Sequence, residues 1–190
     1  MMSEALFWSL IEQSKEEGSD FSHQLQLMTN RLATFDEVEI IEFERKLREV
    51  LAESAHYNLI AAAKIVSGYV SDDSFLYFRC RLIAEGKEFF FAAIENPDVI
   101  ATKDIPDLEY EGEDLLYVAD NAFLLKFGED TEKDLPRDIA VGYLDYHTEE
   151  DIKGEDWEEE DLPVKYPELW QKYGVLFTFP SQYYTLSVTD

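Results

Sequence analysis

The stretch SDDSFLYFRCRLIAEG at residues 71–86 constrains this chain most, because it carries a helix start, an apolar face and a stop within one short segment. Ser71 is suited to accept a hydrogen bond from an otherwise unpaired backbone N–H at a helix N-terminus. Asp72 and Asp73 then lie at the positive end of the helix dipole. Gly86 is the residue type that ends helices in a positive-φ conformation. At about 100° per residue, Phe75, Phe78, Leu82 and Ile83 fall on one side, with Arg79 among them. A charge on an apolar face must reach out to water, or be paired and hydrogen-bonded, since burying it alone is very costly. Arg79 therefore implies either an acidic partner, with Glu44 and Asp120 as candidates, or a polar pocket at the edge of the core.

Similar reasoning sets out the rest of the chain. Ser3 caps a first helix to about Glu17, with Phe7, Leu10 and Ile11 on one face. Asp20 begins a second, in which Phe21, Leu25, Met28 and Leu32 recur at helical spacing. A third is opened by the capping-box spacing of Thr34 and Glu37, with Asp36 as a rival cap, and carries Ile40, Phe43, Leu47, Val50 and Leu51 inward. The fourth, from about Ala55 to Ser67, is apolar nearly all round, as expected of a central helix. A sixth follows from about Lys87 to Asn96 and is stopped by Pro97. Residues 98–113 read as a loop, and a seventh helix extends from about Glu113 to Phe127. The expected fold is all-α: a bundle-like domain of roughly seven helices over residues 1–128.

The composition changes near Gly128. The first 128 residues carry a net charge of −14 and the last 62 carry −12, within a total of −26. Residues 129–190 also hold aromatic side chains, among them Tyr146, Trp157, Tyr166, Trp170 and Phe177, which a solvated tail would lack. We expect an irregular acidic extension packed on the helices through aromatic anchors. It has a short helix near Pro167 to Tyr173, and residues 140–146 and 175–188 are available for a short β-hairpin.

The charge excludes some partners. Affinity for nucleic acid rests largely on lysine and arginine neutralising phosphates, and the 16 basic residues form no run against 42 acids. Anionic membrane surfaces are disfavoured for the same reason. A basic protein is the compatible partner class, because an acidic field speeds its encounter. No stretch has the apolar length of a membrane span and no secretory signal is visible, so a cytoplasmic protein is expected.

Chemistry-bearing motifs are sparse. There is no Walker loop, no Rossmann fingerprint, no G-x-S-x-G and no cofactor motif. Cys80 is the single cysteine and has no histidine beside it, so a packing role is expected rather than a nucleophilic one. His147 with Asp145, Glu149 and Glu150 gathers hard ligands but lacks the fixed spacing of a calcium loop, and no metal is expected. Two candidate sites remain. One is a ligand or cation pocket formed by Asp72, Asp73 and Arg79. The other is a partner-binding strip made of Glu149, Glu150, Asp151, Trp157, Glu158, Glu159 and Glu160, an aromatic anchor within acids.

Several stretches resemble the domain-of-unknown-function family numbered four-two-four-zero. They are Phe7–Trp8 with Leu10–Ile11, and above all Ser71–Asp72–Asp73, Phe75, Phe78–Arg79, Leu82–Ile83 and Gly86. The resemblance spans roughly residues 4–128. It implies a helical domain of bacterial type with no activity to carry over. In the family pattern a tryptophan often stands where this chain has Arg81, so the contact made by that ring is expected to be absent or replaced. The sequence therefore favours a non-enzymatic interaction or regulatory module for a basic partner, of which an immunity- or antitoxin-like inhibitor is one form. The alternative is a small-ligand- or cation-binding domain, or an enzyme, with its pocket at Asp72, Asp73 and Arg79.

Overall fold

Ser71 starts its helix by a reciprocal arrangement. Its hydroxyl accepts from the Ser74 amide at 3.2 Å while the Ser74 hydroxyl accepts from the Ser71 amide at 2.8 Å. A computed structural model of the chain describes residues 2–105, 108, 111–128, 135–136 and 152–174. The hairpin considered for the extension, and His147, Glu149, Glu150 and Asp151, lie outside the described residues.

Seven helices form the body: α1 (Glu4–Glu17), α2 (Phe21–Leu32), α3 (Glu37–Glu53), α4 (Tyr57–Ser67), α5 (Asp72–Ala84), α6 (Lys87–Glu95) and α7 (Val118–Phe127). Two 3-10 turns, Pro97–Thr102 and Glu111–Tyr117, lie between α6 and α7. Two short helices, Leu162–Lys165 and Pro167–Tyr173, close the described chain. Among the described residues there is no strand, only an isolated parallel bridge between His56 and Lys153. The fold is all-α, and among the described residues no helix is long and apolar enough to cross a membrane.

Several boundaries depart from the local rules. The capping box of α3 is made by Asp36 with Glu39, not by Thr34 with Glu37: the Asp36 carboxylate accepts from the Glu39 amide at 2.9 Å. Thr34 instead hydrogen-bonds the Arg31 carbonyl at 2.7 Å, closing α2. Helix α4 starts at Tyr57, because His56 is held extended between two backbone hydrogen bonds to Lys153. Residues 98–113 are not a plain loop. The first 3-10 turn forms under the Asn96 side chain, which accepts from the Asp98 amide at 3.1 Å. The seventh helix becomes α-helical only at Val118.

The core is continuous through all seven helices. Phe7 and Trp8 of α1 meet Phe43 of α3 and Phe90 and Phe91 of α6, with ring centroids 5.2–5.9 Å apart. Burial of such rings supplies the largest single contributions to helix docking, roughly 1.5–3 kcal/mol each. Helix α5 lies across this core. From Phe78 to Ala84 every residue is buried, so its C-terminal half is covered on all sides rather than on one face. That explains why Cys80, off the expected stripe, is fully buried and its thiol is pushed up to about 12 by burial.

Gly112 fixes the placement of the second 3-10 turn. A Cβ there would fall 1.7 Å from the Tyr77 carbonyl oxygen, so this turn lies backbone-on-backbone against α5. Only glycine permits that approach.

Candidate functional site

The Asp72, Asp73 and Arg79 cluster does not converge. Asp72 and Asp73 are exposed in the first turn of α5, where they face water beside the helix N-terminus. Arg79 is buried two turns further on, at 3% exposure. Its guanidinium donates to the Leu51 carbonyl at 3.0 Å and its Nε to the Phe75 carbonyl at 3.3 Å, while the group lies 4.3 Å over the Phe75 ring. Leu51 is in the last turn of α3, where the dipole is negative and a cation is favoured, and its carbonyl also accepts from the Ser54 amide at 3.1 Å. Ser54 donates to the same oxygen through its hydroxyl at 2.7 Å. Burial lowers the Arg79 guanidinium to about 10. Of the expected acids, Glu44 ion-pairs with Arg48 at 2.8 Å, both fully or nearly buried within α3.

Arg81 is buried in the last turn of α5. Its guanidinium lies 4.0 Å over the Phe21 ring, so a planar cation covers the face of α2. It also reaches Glu85 at 3.6 Å. Glu85, at the end of α5, gathers Lys15 from α1 and Lys103 at 3.3 Å from beyond the first 3-10 turn. Burial raises the Glu85 carboxyl, but the ammonium groups of Lys15 and Lys103 outweigh it and hold it below the ordinary carboxylate value. These groups tie α1, α5 and the turn together at the back of a cleft of about 580 Å³ that also includes Gly86, Lys87 and Phe89.

The acidic strip has a different construction. Residues 152–174 are clipped to the start of α4. The Lys153 amide donates to the Ala55 carbonyl at 2.8 Å and the Tyr57 amide donates to the Lys153 carbonyl at 2.9 Å. Gly154, at φ +89°, lies against the His56 ring, where a Cβ would come within 2.9 Å of it. Trp157 is half-buried, and its indole N–H donates to the Tyr57 carbonyl at 2.8 Å. So Trp157 faces the body, while Glu155, Asp156, Glu158, Glu159, Glu160 and Asp161 around it are exposed. Glu159 reaches Lys64 of α4 at 2.9 Å. The strip is fixed at its far end by Leu162, which is fully buried, and by Tyr166, whose hydroxyl donates to Asn58 at 2.8 Å. Leu169 is buried as well, and its amide donates to the Asp98 carboxylate at 2.9 Å.

Sequence reasoning marked the acid run Glu149–Asp161 around Trp157 but did not foresee the hydrogen bonds that tie the segment after it to Asn58 and Asp98. It also missed the His56–Lys153 clip, for which a glycine after a lysine is the only local hint. Among the described residues no group of histidine, cysteine and carboxylate side chains is placed to hold a metal ion.

A family profile described as "Protein of unknown function (DUF4240)" matches residues 2–124, and the chain belongs to that family. The matched region covers the whole helical body up to α7, including the Ser71–Asp72–Asp73 start and Arg79. No curated protein and no solved structure matches the chain.

Proposed function

We propose that this protein is a non-enzymatic interaction module that presents an ordered acidic strip to a basic protein partner. One form of such a module is an inhibitor whose carboxylates cover a basic active site, as immunity and antitoxin proteins do. The observation that carries this reading is the placement of charge. Glu155, Asp156, Glu158, Glu160 and Asp161 are exposed and make no ion pair among the described residues, yet their backbone is held at Lys153 before them, at Trp157 among them and at Leu162 after them. Holding five unpaired carboxylates within seven residues on a rigid surface is unfavourable by mutual repulsion, so a compensating cation surface would bind there with gain. Many cations of the body are meanwhile engaged internally. Arg31 pairs with Glu17, Lys87 with Glu4 and Lys172 with Asp104.

The experiment is affinity capture from the native cell. The bait is the full chain or a variant with Glu155, Glu158 and Glu160 changed to Gln and Asp156 and Asp161 changed to Asn. The expected result is a basic protein retained by the natural chain at low salt, weakened at moderate salt, and lost from the variant. Equal retention by both baits, or no basic protein on either, contradicts the reading.

A further inference from the structure

A second cleft, of about 600 Å³, lies between α2 and α7. Its lining departs from the rest of the molecule. The chain is 31% charged, yet among the described residues that line this cleft Asp114 is the one charged residue of ten. Ser22, Gln26, Thr29 and Asn30 come from α2, and Asn121 from α7. Among the described residues none of these five side chains, nor Asp114, makes a hydrogen bond within the protein. They present hydroxyl and amide groups that both donate and accept. Leu25 and Val118 are buried apolar residues of its lining, and Tyr117 is exposed at 43%. The Tyr117 hydroxyl donates to Glu113 at 2.8 Å, which orients the ring.

That combination selects a ligand class. An anion meets Asp114 and, among the described lining residues, no cation. A purely apolar ligand would strip water from several polar groups and return no hydrogen bonds, which is costly. A neutral molecule with many hydroxyls and a C–H face satisfies the amides and the carboxylate while packing on the tyrosine ring and the aliphatic lining. The volume lies within the usual range for small-ligand sites. We propose that the cleft between α2 and α7 binds an uncharged, polyhydroxylated small molecule of the saccharide class. This site is separate from the acidic strip and does not depend on it.

The test uses the isotopically labelled full chain and amide chemical-shift mapping. The probes are glucose, galactose, mannose and N-acetylglucosamine, with glucose 6-phosphate as a charged comparison. At least one neutral sugar is expected to shift amides of α2 and α7 around Gln26 and Asn121. The double variant Gln26→Ala with Asn121→Ala alters two exposed positions, so it should keep its melting temperature while its affinity for that sugar falls roughly tenfold or more. Glucose 6-phosphate should bind more weakly than glucose. Absence of shifts with all four sugars, shifts elsewhere on the surface, unchanged affinity in the variant, or tighter binding of the phosphate overturns the proposal.

Discussion

Arg79 of α5 donates its guanidinium N–H to the Leu51 carbonyl at the end of α3, 3.0 Å away and 28 residues distant in sequence. A buried cation thus reaches a helix C-terminus and joins two core helices. Charge-assisted hydrogen bonds of this kind contribute more than neutral ones.

Replacing Arg79 by Met should therefore destabilise the fold by about 2–3 kcal/mol, from the lost charge-assisted bonds to Leu51 and Phe75. Lys should not rescue it, because one ammonium does not span two carbonyls and a ring as a planar guanidinium does. Denaturant unfolding of both variants checks this, and an unchanged midpoint for Arg79→Met would refute the capping role.

Gly112 gives the second prediction. With its backbone against the Tyr77 carbonyl, Gly112→Ala must push the 3-10 turn away from α5. A loss of about 3 kcal/mol is expected, which for a chain of this size lowers the melting temperature by roughly 6–12 °C. Gly128→Ala is the control for space, since among the described residues nothing lies within 4 Å of the Cβ position there. Its φ of +84° still costs some strain, so its effect should be the smaller.

How far all this could be seen beforehand depended on range. Ser71, Asp20, Pro97 and the helix Pro167–Tyr173 follow from capping and proline rules that act within a few residues, and they were legible. The Leu51 carbonyl has no residue-type signature, so no spacing pointed Arg79 to it. Thr34 and Asp36 both offered caps, and only the geometry of the preceding turn decided for Asp36. Of the candidate site, the run of acids was visible in the sequence. Its attachment depended on the contacts of Lys153 and Trp157 with α4, roughly a hundred residues away in the chain.

The clip at His56 is expected to weaken as pH falls. Burial, and then the nearby charge of Lys153, hold the His56 imidazole below its ordinary value of 6.5. A histidine depressed on folding contributes stability that is fully present above its unfolded value and lost as pH falls below it. His56 also stands at the N-cap position of α4, without a side-chain capping hydrogen bond, where the dipole disfavours a positive ring. Hydrogen exchange at the Lys153 and Tyr57 amides should therefore accelerate, relative to amides of α5, as pH is lowered from 7 towards 5. The comparison removes the intrinsic pH dependence of exchange. His56→Asn should flatten the difference, and a ratio independent of pH in the natural chain would contradict the assignment.

The acidic strip is the claim on which the functional account rests, and zero-length carbodiimide crosslinking in a fresh lysate of the native cell tests it most directly. The reagent joins a carboxylate only to an amine in contact with it. The account predicts crosslinks from residues 155–161 to lysines of a single basic protein, diminishing when salt is raised before the reagent is added to a fresh lysate. Crosslinks from these carboxylates only to lysines of the same chain, such as Lys64, would contradict it.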